Sequence, residues 1–222
     1  MDWQALALSL RLGVVTLLVL MPPAMLLARW LAITPSRWKP LIEALVVLPL
    51  ILPPTVLGFY LLSALGPRSP IGQLWEALTG GSLVFSFQGL VAASVLVNIP
   101  FAVQPAQRGF EAVGADLRAA AATCGLSPLA TLRQIELPLA APGLLTGAIL
   151  AFAHTLGEFG VVLMVGGAIP GETRTLSLSI YDRVQALDTH AAGTMAAVLL
   201  AIALSAVGLA FALTRKRPRV GA

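Results

Sequence analysis

The chain has 222 residues, of which 58% are hydrophobic and only 11% are charged, and its mean hydropathy is +0.89. Because a soluble domain carries about 25% charged residues, this composition indicates an integral membrane protein. The net charge of +4 would suggest nucleic-acid binding in a soluble chain, but membrane proteins accumulate Lys and Arg in their cytoplasmic loops. The single cysteine, Cys124, excludes an internal disulfide and argues against a zinc site.

Five long apolar windows separate the clusters of charged residues. Each window reaches or approaches the roughly 20 residues that cross the hydrocarbon region. We read the first window as a retained helix rather than a signal peptide, because Asp2 stands where a basic cluster would be and no small-residue cleavage site follows. The sequence therefore predicts an all-α, single-domain membrane protein over residues 1–222, with spans at about 4–29, 42–65, 83–104, 139–165 and 191–214.

The distribution of Lys and Arg predicts the orientation. Five spans place the termini on opposite sides, and a cytoplasmic C-terminus puts ten cations inside and three in the outer loops. This bias places the N-terminus outside. The inner cations are Arg29, Arg37, Lys39, Arg108, Arg118, Arg133, Arg215, Lys216, Arg217 and Arg219, and the outer ones are Arg68, Arg174 and Arg183.

Tryptophans and prolines mark the ends and the bends of the spans. The tryptophans lie near predicted span ends, as in an interfacial belt. Each proline inside a span frees a carbonyl that needs another partner, which suits either kinks that improve packing or bent helices around a pathway that opens and closes. These residues are Trp3, Trp30, Trp38 and Trp75, and Pro22, Pro23, Pro49, Pro53, Pro54 and Pro100.

The polar interruption at residues 105–138 predicts a helix–turn–helix on the cytoplasmic side. An Ala- and Leu-rich helix, predicted from Glu111 to Cys124, leads to Gly125, which suits the left-handed position after a helix. Ser127 offers an N-cap and Pro128 a first helical residue for a second helix, and Pro138 marks the return to the membrane. An ordinary hairpin between two spans would look the same. A DNA-binding hairpin fits poorly, because the second helix carries no exposed basic stripe.

This interruption resembles the coupling loop of ABC importer permeases, which has the pattern Glu-Ala-Ala, three residues, Gly, nine residues and Ile-x-Leu-Pro. Ala119 stands at the glutamate position, so a role of that glutamate in a salt bridge or cap is not expected here. The resemblance implies that the loop contacts a separate ATPase. The matching residues are Ala120, Ala121, Gly125, Ile135, Leu137 and Pro138, and the implied contact also includes Leu126, Ser127 and Pro128.

A second pair of segments narrows the family. Gly157-Glu158-Phe159-Gly160, followed by Ile169-Pro170-Gly171-Glu172-Thr173-Arg174-Thr175, resembles the molybdate-transporter permeases. Sulfate permeases share the Gly-Glu-Phe-Gly element, so sulfate or tungstate is the alternative substrate. The resemblance covers nearly the whole chain. It implies a type I importer in a bacterial inner membrane, with two copies of this permease, two cytoplasmic ATPase subunits and an extracytoplasmic oxyanion-binding protein.

Glu158 and His154 are ionisable residues inside the fourth predicted span, where charge is costly. They lie four residues apart and share a helical face. Two ligands do not make a metal site, and a proton relay has no further support. We favour a structural or gating role for Glu158, since a carboxylate repels a dianion. The candidate pathway or gate residues are Gly157, Glu158, Phe159, Gly160, Thr173, Arg174 and Thr175.

The last outer loop offers cations and hydroxyl groups. Arg174 and Arg183 are either solvated charges or a docking site for the binding protein that also attracts an arriving anion. The hydroxyl groups of this segment are candidates to line a polar passage for molybdate. They belong to Thr173, Thr175, Ser177 and Ser179.

No catalytic or cofactor motif is evident in the sequence. A Gly-x4-Gly-Lys-Ser/Thr phosphate loop is absent, so ATP must be bound by another chain, and the permease contributes a pathway that alternates between two states. A secondary transporter or channel is one rival, with Glu158 and His154 as its ion residues. A membrane-embedded enzyme or scaffold is the other, and it would need nucleophile or metal constellations that the sequence does not show.

Overall fold

The computed structural model describes residues 1–215, and this part of the chain is helical, without a β-strand. Lys216, Arg217 and Arg219, counted above among the inner cations, lie outside the described residues. The helices are α1 (Trp3–Ile33), α2 (Lys39–Ile51), α3 (Pro54–Leu65), α4 (Pro70–Thr79), α5 (Phe87–Glu111), α6 (Ala115–Thr123), α7 (Pro128–Thr131), α8 (Leu137–Gly157), α9 (Gly160–Gly166), α10 (Leu176–Gln185) and α11 (Thr189–Arg215), with a π-turn (Leu132–Glu136) between α7 and α8.

Four stretches of helix are long and apolar enough to cross a membrane. They are α1, α5, the continuous helix Pro128–Gly157 that joins α7 to α8, and Thr189–Leu209 within α11. Helices α2 and α3 together qualify as a fifth span, although they are bent by 110° at their junction. The predicted fold class, an all-α membrane protein with about five spans, is therefore confirmed.

The centre of the molecule is formed by α1, α5 and α8. Small residues let these helices approach closely, as is common between membrane helices. A Cβ atom added to Gly143 of α8 would lie 2.4 Å from the carbonyl oxygen of Pro105 in α5, so only glycine fits at this crossing. The fully buried residues of this core include Leu12, Ala28, Leu31, Ala102, Ala106, Phe110, Ala140 and Ala151.

Helix α5 begins later and continues further than the predicted span 83–104. Ser86 caps its start, since its side-chain oxygen accepts a hydrogen bond from the Gly89 N–H at 3.2 Å. The helix then continues past Pro100 and Pro105 as far as Glu111. Residues 105–111, expected in the cytoplasmic loop, therefore extend the third span as one helix.

The predicted span 42–65 is not one straight helix. Leu52 is extended, with φ −72° and ψ 138°, because the residue before a proline is driven out of the helical region. Pro53 and Pro54 follow, and α3 starts in a new direction. The two prolines thus break the span rather than merely bend it.

The fourth predicted span, 139–165, also differs from the structure at both ends. The helix begins earlier, at Pro128, and runs without interruption through the π-turn to Gly157. Pro138 was expected to separate loop from membrane helix, but it lies in the first turn of α8. The wider hydrogen bonding of the π-turn carries the helix past a residue that has no N–H to donate. At the far end Glu158 is extended, with ψ 131°, and the short helix α9 follows.

Candidate functional site

The two broken spans meet at their breaks. A Cβ atom on Gly160, the first residue of α9, would lie 2.8 Å from Cβ of Pro54, the first residue of α3. Further along, a Cβ atom on Gly58 would lie 2.9 Å from Cβ of Met164. Helices α3 and α9 therefore pack with their backbones close together, which holds the break after Ile51 beside the break after Gly157.

A cavity of about 130 Å³ lies between the two breaks. His154 and Glu158 are its ionisable residues, and the rest of its wall is apolar. Interrupted helices that meet around a cavity also form the binding sites of many secondary transporters. The lining residues are Pro49, Leu50, Leu52, Pro54, Leu57, Val97, Phe101, His154, Glu158 and Val161.

Glu158 holds the break in the fourth span together. Its carboxylate oxygen Oε1 accepts a hydrogen bond from the Val161 N–H at 3.1 Å, inside the first turn of α9. Its backbone carbonyl accepts a hydrogen bond from the Ser177 hydroxyl at 2.7 Å. The residue is only 8% exposed. Glu158 thus joins α8, α9 and the start of α10.

His154 lies one turn before Glu158 and points into the same cavity. Its Nε2 atom is 3.7 Å from Oε2 of Glu158, and its ring stacks on Phe101 with the centroids 4.2 Å apart. The pair stands without further ligands, since no group of three or more His, Cys, Asp or Glu side chains in residues 1–215 could hold a metal ion. The arrangement fits an internal polar contact that links α8 to α5.

All four predicted hydroxyl groups are hydrogen-bonded within the chain, two of them to backbone carbonyls and two to side chains. Thr173 is fully buried, donates to the Gly166 carbonyl at 2.6 Å and accepts from the Ile169 N–H at 2.8 Å. Thr175 and Ser177 have their hydroxyl oxygens 2.9 Å apart. Because Ser177 already donates to Glu158, Thr175 is the donor in this pair. These two residues extend the polar contacts at the break, whereas Thr173 fixes the loop before them.

The N-terminus is tied to α10. Asp2 caps α1 by accepting from the Ala5 N–H at 2.9 Å, and it also accepts from the buried Ser179 hydroxyl at 2.9 Å. Burial alone would raise the pKa of the Asp2 carboxyl. These two hydrogen bonds and the nearby charges of Arg174 and Arg183 outweigh burial and hold the pKa below its ordinary value of 3.8.

Arg174 and Arg183 are both paired with acidic side chains. Arg174 Nη2 lies 3.1 Å from Asp182 Oδ2, and Arg183 Nη1 lies 3.3 Å from Asp188 Oδ2. Phe159, which precedes α9, packs its ring on Tyr181 of α10, with centroids 4.9 Å apart. The predicted pathway residues Phe159 and Arg174 thus both contact α10 rather than an open passage.

The turn in the loop between α5 and α8 has the geometry that its sequence predicts. Gly125 has φ +79°, and the N–H groups of Gly125 and Leu126 donate to the carbonyls of Ala122 and Ala121, which is the Schellman ending of a helix. Ser127 then accepts from the Ala130 N–H at 3.2 Å and caps α7. The predicted first helix is shorter than expected, since α6 covers only Ala115–Thr123.

The corner between α6 and α7 faces away from the bundle. Ser127 and Pro128 are exposed and Leu126 is half-buried. Two apolar side chains beside them are also exposed, Leu117 at 47% and Leu129 at 55%. We define the corner as residues 117–129. In contrast, Ala121 is buried, as are Thr131 and Glu136 further on, so the corner is anchored from behind.

Glu136 is the residue of this region that sequence reasoning missed. Its side chain is 1% exposed and accepts from Nε of Arg29 in α1 and from Nε of Arg118 in α6, the latter at 2.8 Å. Arg118 also donates to the Phe110 carbonyl at 2.8 Å. One buried carboxylate therefore joins α1, the end of α5, the corner and the start of α8. The available signal was a glutamate at the edge of an apolar window with two cations expected on the same side.

A second missed contact lies in the centre of the bundle. Asn98 of α5 is fully buried, and its Nδ2 donates to Thr155 Oγ1 at 3.0 Å and to the Ser94 carbonyl at 2.7 Å. Thr155 in turn donates to the Ala151 carbonyl at 2.7 Å. The contact joins α5 to α8 one residue beyond His154, which adds a polar layer next to the cavity.

Comparison with known families gives a match over most of the chain. The profile of the family described as binding-protein-dependent transport system inner membrane component matches residues 14–220. The molybdenum transport system permease protein ModB of Azotobacter vinelandii is 51% identical over 187 residues, which cover 84% of this chain and 83% of that protein. ModB of Escherichia coli K12 is 34% identical over 208 residues, covering 94% and 90%.

Solved structures show the same fold at low sequence identity. A bacterial ABC transporter that imports the acidic polysaccharide alginate matches with a TM-score of 0.77 at 16% identity, covering 97% of this chain and 79% of that one. An amino acid ABC transporter with histidines matches with a TM-score of 0.64, also at 16% identity, covering 96% and 92%. At this identity the likeness concerns the fold alone.

Proposed function

Because the chain belongs to the family of binding-protein-dependent transport system inner membrane components, we propose that it carries molybdate inward as the permease of an ATP-driven importer. It is a multi-pass inner-membrane transport component and not itself an enzyme, and its fold is that of an ABC importer permease. The assignment of molybdate as the substrate rests on the similarity to the molybdenum transport permeases of A. vinelandii and E. coli over most of both chains.

The proposed assembly contains two copies of this permease, two cytoplasmic ATPase subunits and an extracytoplasmic oxyanion-binding protein. A permease without a nucleotide site needs a partner that binds ATP. One of the solved relatives in fold, the alginate transporter, forms a complex with its periplasmic protein. The corner, residues 117–129, supports the ATPase contact, since its exposed apolar side chains would be left in water otherwise.

The proposed orientation has the N-terminus outside and the C-terminus in the cytoplasm. The excess of cations in the inner segments supports it. The contacts add a second support, because cations from distant segments gather at one end of the bundle. Arg29 and Arg118 meet at Glu136, and Lys39 lies 3.9 Å from Glu111 at the end of α5. This end also carries the corner.

Within the corner, we assign the ATPase contact to Gly125, Leu126, Ser127 and Pro128. The other residues of the family pattern serve to anchor it. Ala121 is buried, and Ile135 and Leu137 are half-buried against the bundle. Ala120 and Pro138 are exposed next to the contact. A push on the corner would reach α1 and the end of α5 through the buried carboxylate of Glu136.

We assign the gate to the place where the two broken spans meet. It includes Gly157, Glu158, Phe159 and Gly160, together with the loop residues Thr173, Arg174 and Thr175. Short helices that end at a break can move as units while their hydrogen bonds stay intact. In one state α3 and α9 would be apart, and in the other they would be in contact. The anion can shift the balance between these states only if its contacts differ between them.

In this proposal Glu158 stabilises the gate and does not bind the anion. Its carboxylate is already bonded to the Val161 N–H and lies beside His154. A dianion would be repelled by it. The residues that touch molybdate are therefore expected among neutral hydroxyl and backbone groups. Thr175 and Ser177 lie next to the break, and they could donate to the anion only in a state in which their present hydrogen bonds, to Ser177 and to the Glu158 carbonyl, are open.

The test is reconstitution with ATPase subunits and binding protein in liposomes, followed by uptake of labelled molybdate with and without ATP. Uptake that requires ATP and the binding protein supports the proposal. Competition by sulfate or tungstate at equal concentration measures the selectivity of uptake among the three anions. Preferred uptake of sulfate or tungstate contradicts the assignment of molybdate. Uptake without ATPase would instead support a secondary transporter.

The coupling contact is tested by co-purification of the ATPase with the double variant Gly125→Asp, Leu126→Asp. Two new charges at the corner should abolish the complex. The matched control is Gly81→Asp, Ser82→Asp, which adds the same charges to an exposed outer loop and should leave the complex intact. A complex that survives in the corner variant contradicts the assignment of the contact.

A further inference from the structure

One face of α1 forms a continuous groove with the start of α5. Gln4, Leu8, Arg11, Val15 and Val19 recur three or four residues apart, so they share a face. Three neighbouring cavities, of about 270, 280 and 550 Å³, all include Arg11 in their walls. The groove is separate from the coupling corner and from the break between the spans.

Arg11 is a cation in an apolar span whose charge is not compensated. No carboxylate of the described residues lies within ion-pair distance of it. Its guanidinium carbon lies 4.3 Å from the centroid of the Phe87 ring. Gln88, exposed on the same cavity walls, has no hydrogen-bond partner in the described part of the chain either. The Arg11 side chain is exposed in the single chain, and a charge within an apolar span needs a counter-charge or water.

The deeper part of the groove is apolar and elongated. Its 550 Å³ cavity continues from Arg11 to Val19, about 12 Å along α1 at 1.5 Å per residue. Four of its ten lining residues are valines, two from each helix, and Trp75 of α4 lies on one side. The lining residues are Arg11, Val15, Val19, Trp75, Leu83, Phe87, Gln88, Val91, Ala92 and Val95.

The upper part of the groove carries charges of both signs. Arg11 and Glu172 line the same cavity of about 270 Å³ without forming an ion pair with each other. Ser86 and Gln88 add hydrogen-bonding groups there. A ligand with one negative and one positive group, joined to an apolar chain, would satisfy every part of this surface.

We propose that the groove binds a glycerophospholipid with a zwitterionic aminoalcohol headgroup. The phosphate lies on Arg11 and Gln88, the ammonium group points to Glu172, and one acyl chain follows the valines of α1 and α5. A second copy of the chain is the rival occupant. A two-fold interface centred on Arg11 would bring two uncompensated guanidinium groups together, whereas a phosphate supplies the missing charge.

The test is native mass spectrometry of the purified permease after exchange into mixed vesicles of phosphatidylethanolamine and phosphatidylglycerol. The wild type should retain phosphatidylethanolamine. Arg11→Leu should lower its occupancy about tenfold or more, because a charge-assisted contact is lost. The matched control is Arg183→Leu, which removes an outer arginine away from the groove and should retain the lipid.

Further variants test the parts of the site separately and control for misfolding. Glu172→Gln should keep a bound lipid but remove the preference for ethanolamine over glycerol headgroups. Val91→Phe keeps both charges but fills the apolar part of the groove, so it should lower lipid retention. Arg11→Lys keeps the positive charge and should preserve lipid retention. Equal retention in wild type and Arg11→Leu would overturn the proposal. So would a disulfide between two copies that carry Leu8→Cys, since the partner chain would then occupy the groove.

Discussion

Arg29 and Glu136 are 107 residues apart in sequence, yet they form an ion pair at the end of the bundle that carries the corner, with only 1% of the Glu136 side chain exposed. Arg118 of the corner completes the arrangement from the other side. Two guanidinium groups on one buried carboxylate fix the distance between α1, α6 and the start of α8. The corner is thus bound to the membrane bundle by charge as well as by packing.

Glu136→Gln should uncouple the corner from the bundle. The amide keeps the shape but leaves two guanidinium groups without their counter-charge, so we expect a loss of stability of about 3 kcal/mol and slower transport per ATP hydrolysed. Thermal unfolding in detergent and the ratio of uptake to hydrolysis measure the two effects. Glu111→Gln is the control, because its pair with Lys39 at 3.9 Å is exposed and should contribute less than about 1 kcal/mol. Equal effects of the two variants would contradict the role of Glu136.

Glu158→Gln should impair transport while the fold is retained. The glutamine oxygen can still accept the Val161 N–H, but the charge beside His154 is gone. We expect a lower rate of uptake and unchanged capture of molybdate by the binding protein, measured separately by binding assays. Glu76→Gln on the exposed surface of α4 provides the comparison. Wild-type uptake in Glu158→Gln would remove Glu158 from the gate.

Gly160→Ala should separate α3 from α9. The new methyl group would lie 2.8 Å from Pro54 Cβ, closer than two carbon atoms can approach, so we expect lower thermal stability and altered transport. Gly193→Ala is a matched change in α11, where no atom lies within 4 Å of the added Cβ. It should stabilise the helix by about 0.5–1 kcal/mol. If both variants have the same melting temperature, the close approach of the two broken spans is not rigid.

Asp2→Asn should change how stability depends on pH. The pKa of Asp2 is lowered in the folded protein, so its charge stabilises the fold above the ordinary value of 3.8 and this contribution is lost as the pH falls through the lowered pKa. Asparagine still caps α1 but lacks the charge. At pH 7 the variant should melt below the wild type, and the gap should close in acid. Asp116→Asn, at an exposed position of α6, is the matched acid-to-amide change and is measured at the same two pH values.

The elements that could be predicted from the sequence are those whose causes are local. The turn at Gly125 and the cap at Ser127 depend on residues within one helical turn, and both are found as expected. The ion pair of Glu136 depends on Arg29, which no local pattern connects to it. Similarly, apolar windows predict where a span lies but not that it breaks. The break at Glu158 is stabilised by Pro54 and Ser177, which belong to other elements.

The uninterrupted helix from Pro128 to Gly157 has a mechanical consequence. At 1.5 Å per residue its 30 residues form a rod about 45 Å long. One end belongs to the surface proposed to meet the ATPase, and the other end is the break beside the cavity. If the rod pivots at the corner, a tilt of about 5° displaces Gly157 by about 4 Å over that length. Events on the two sides of the membrane would then be simultaneous, since the same rigid body takes part in both.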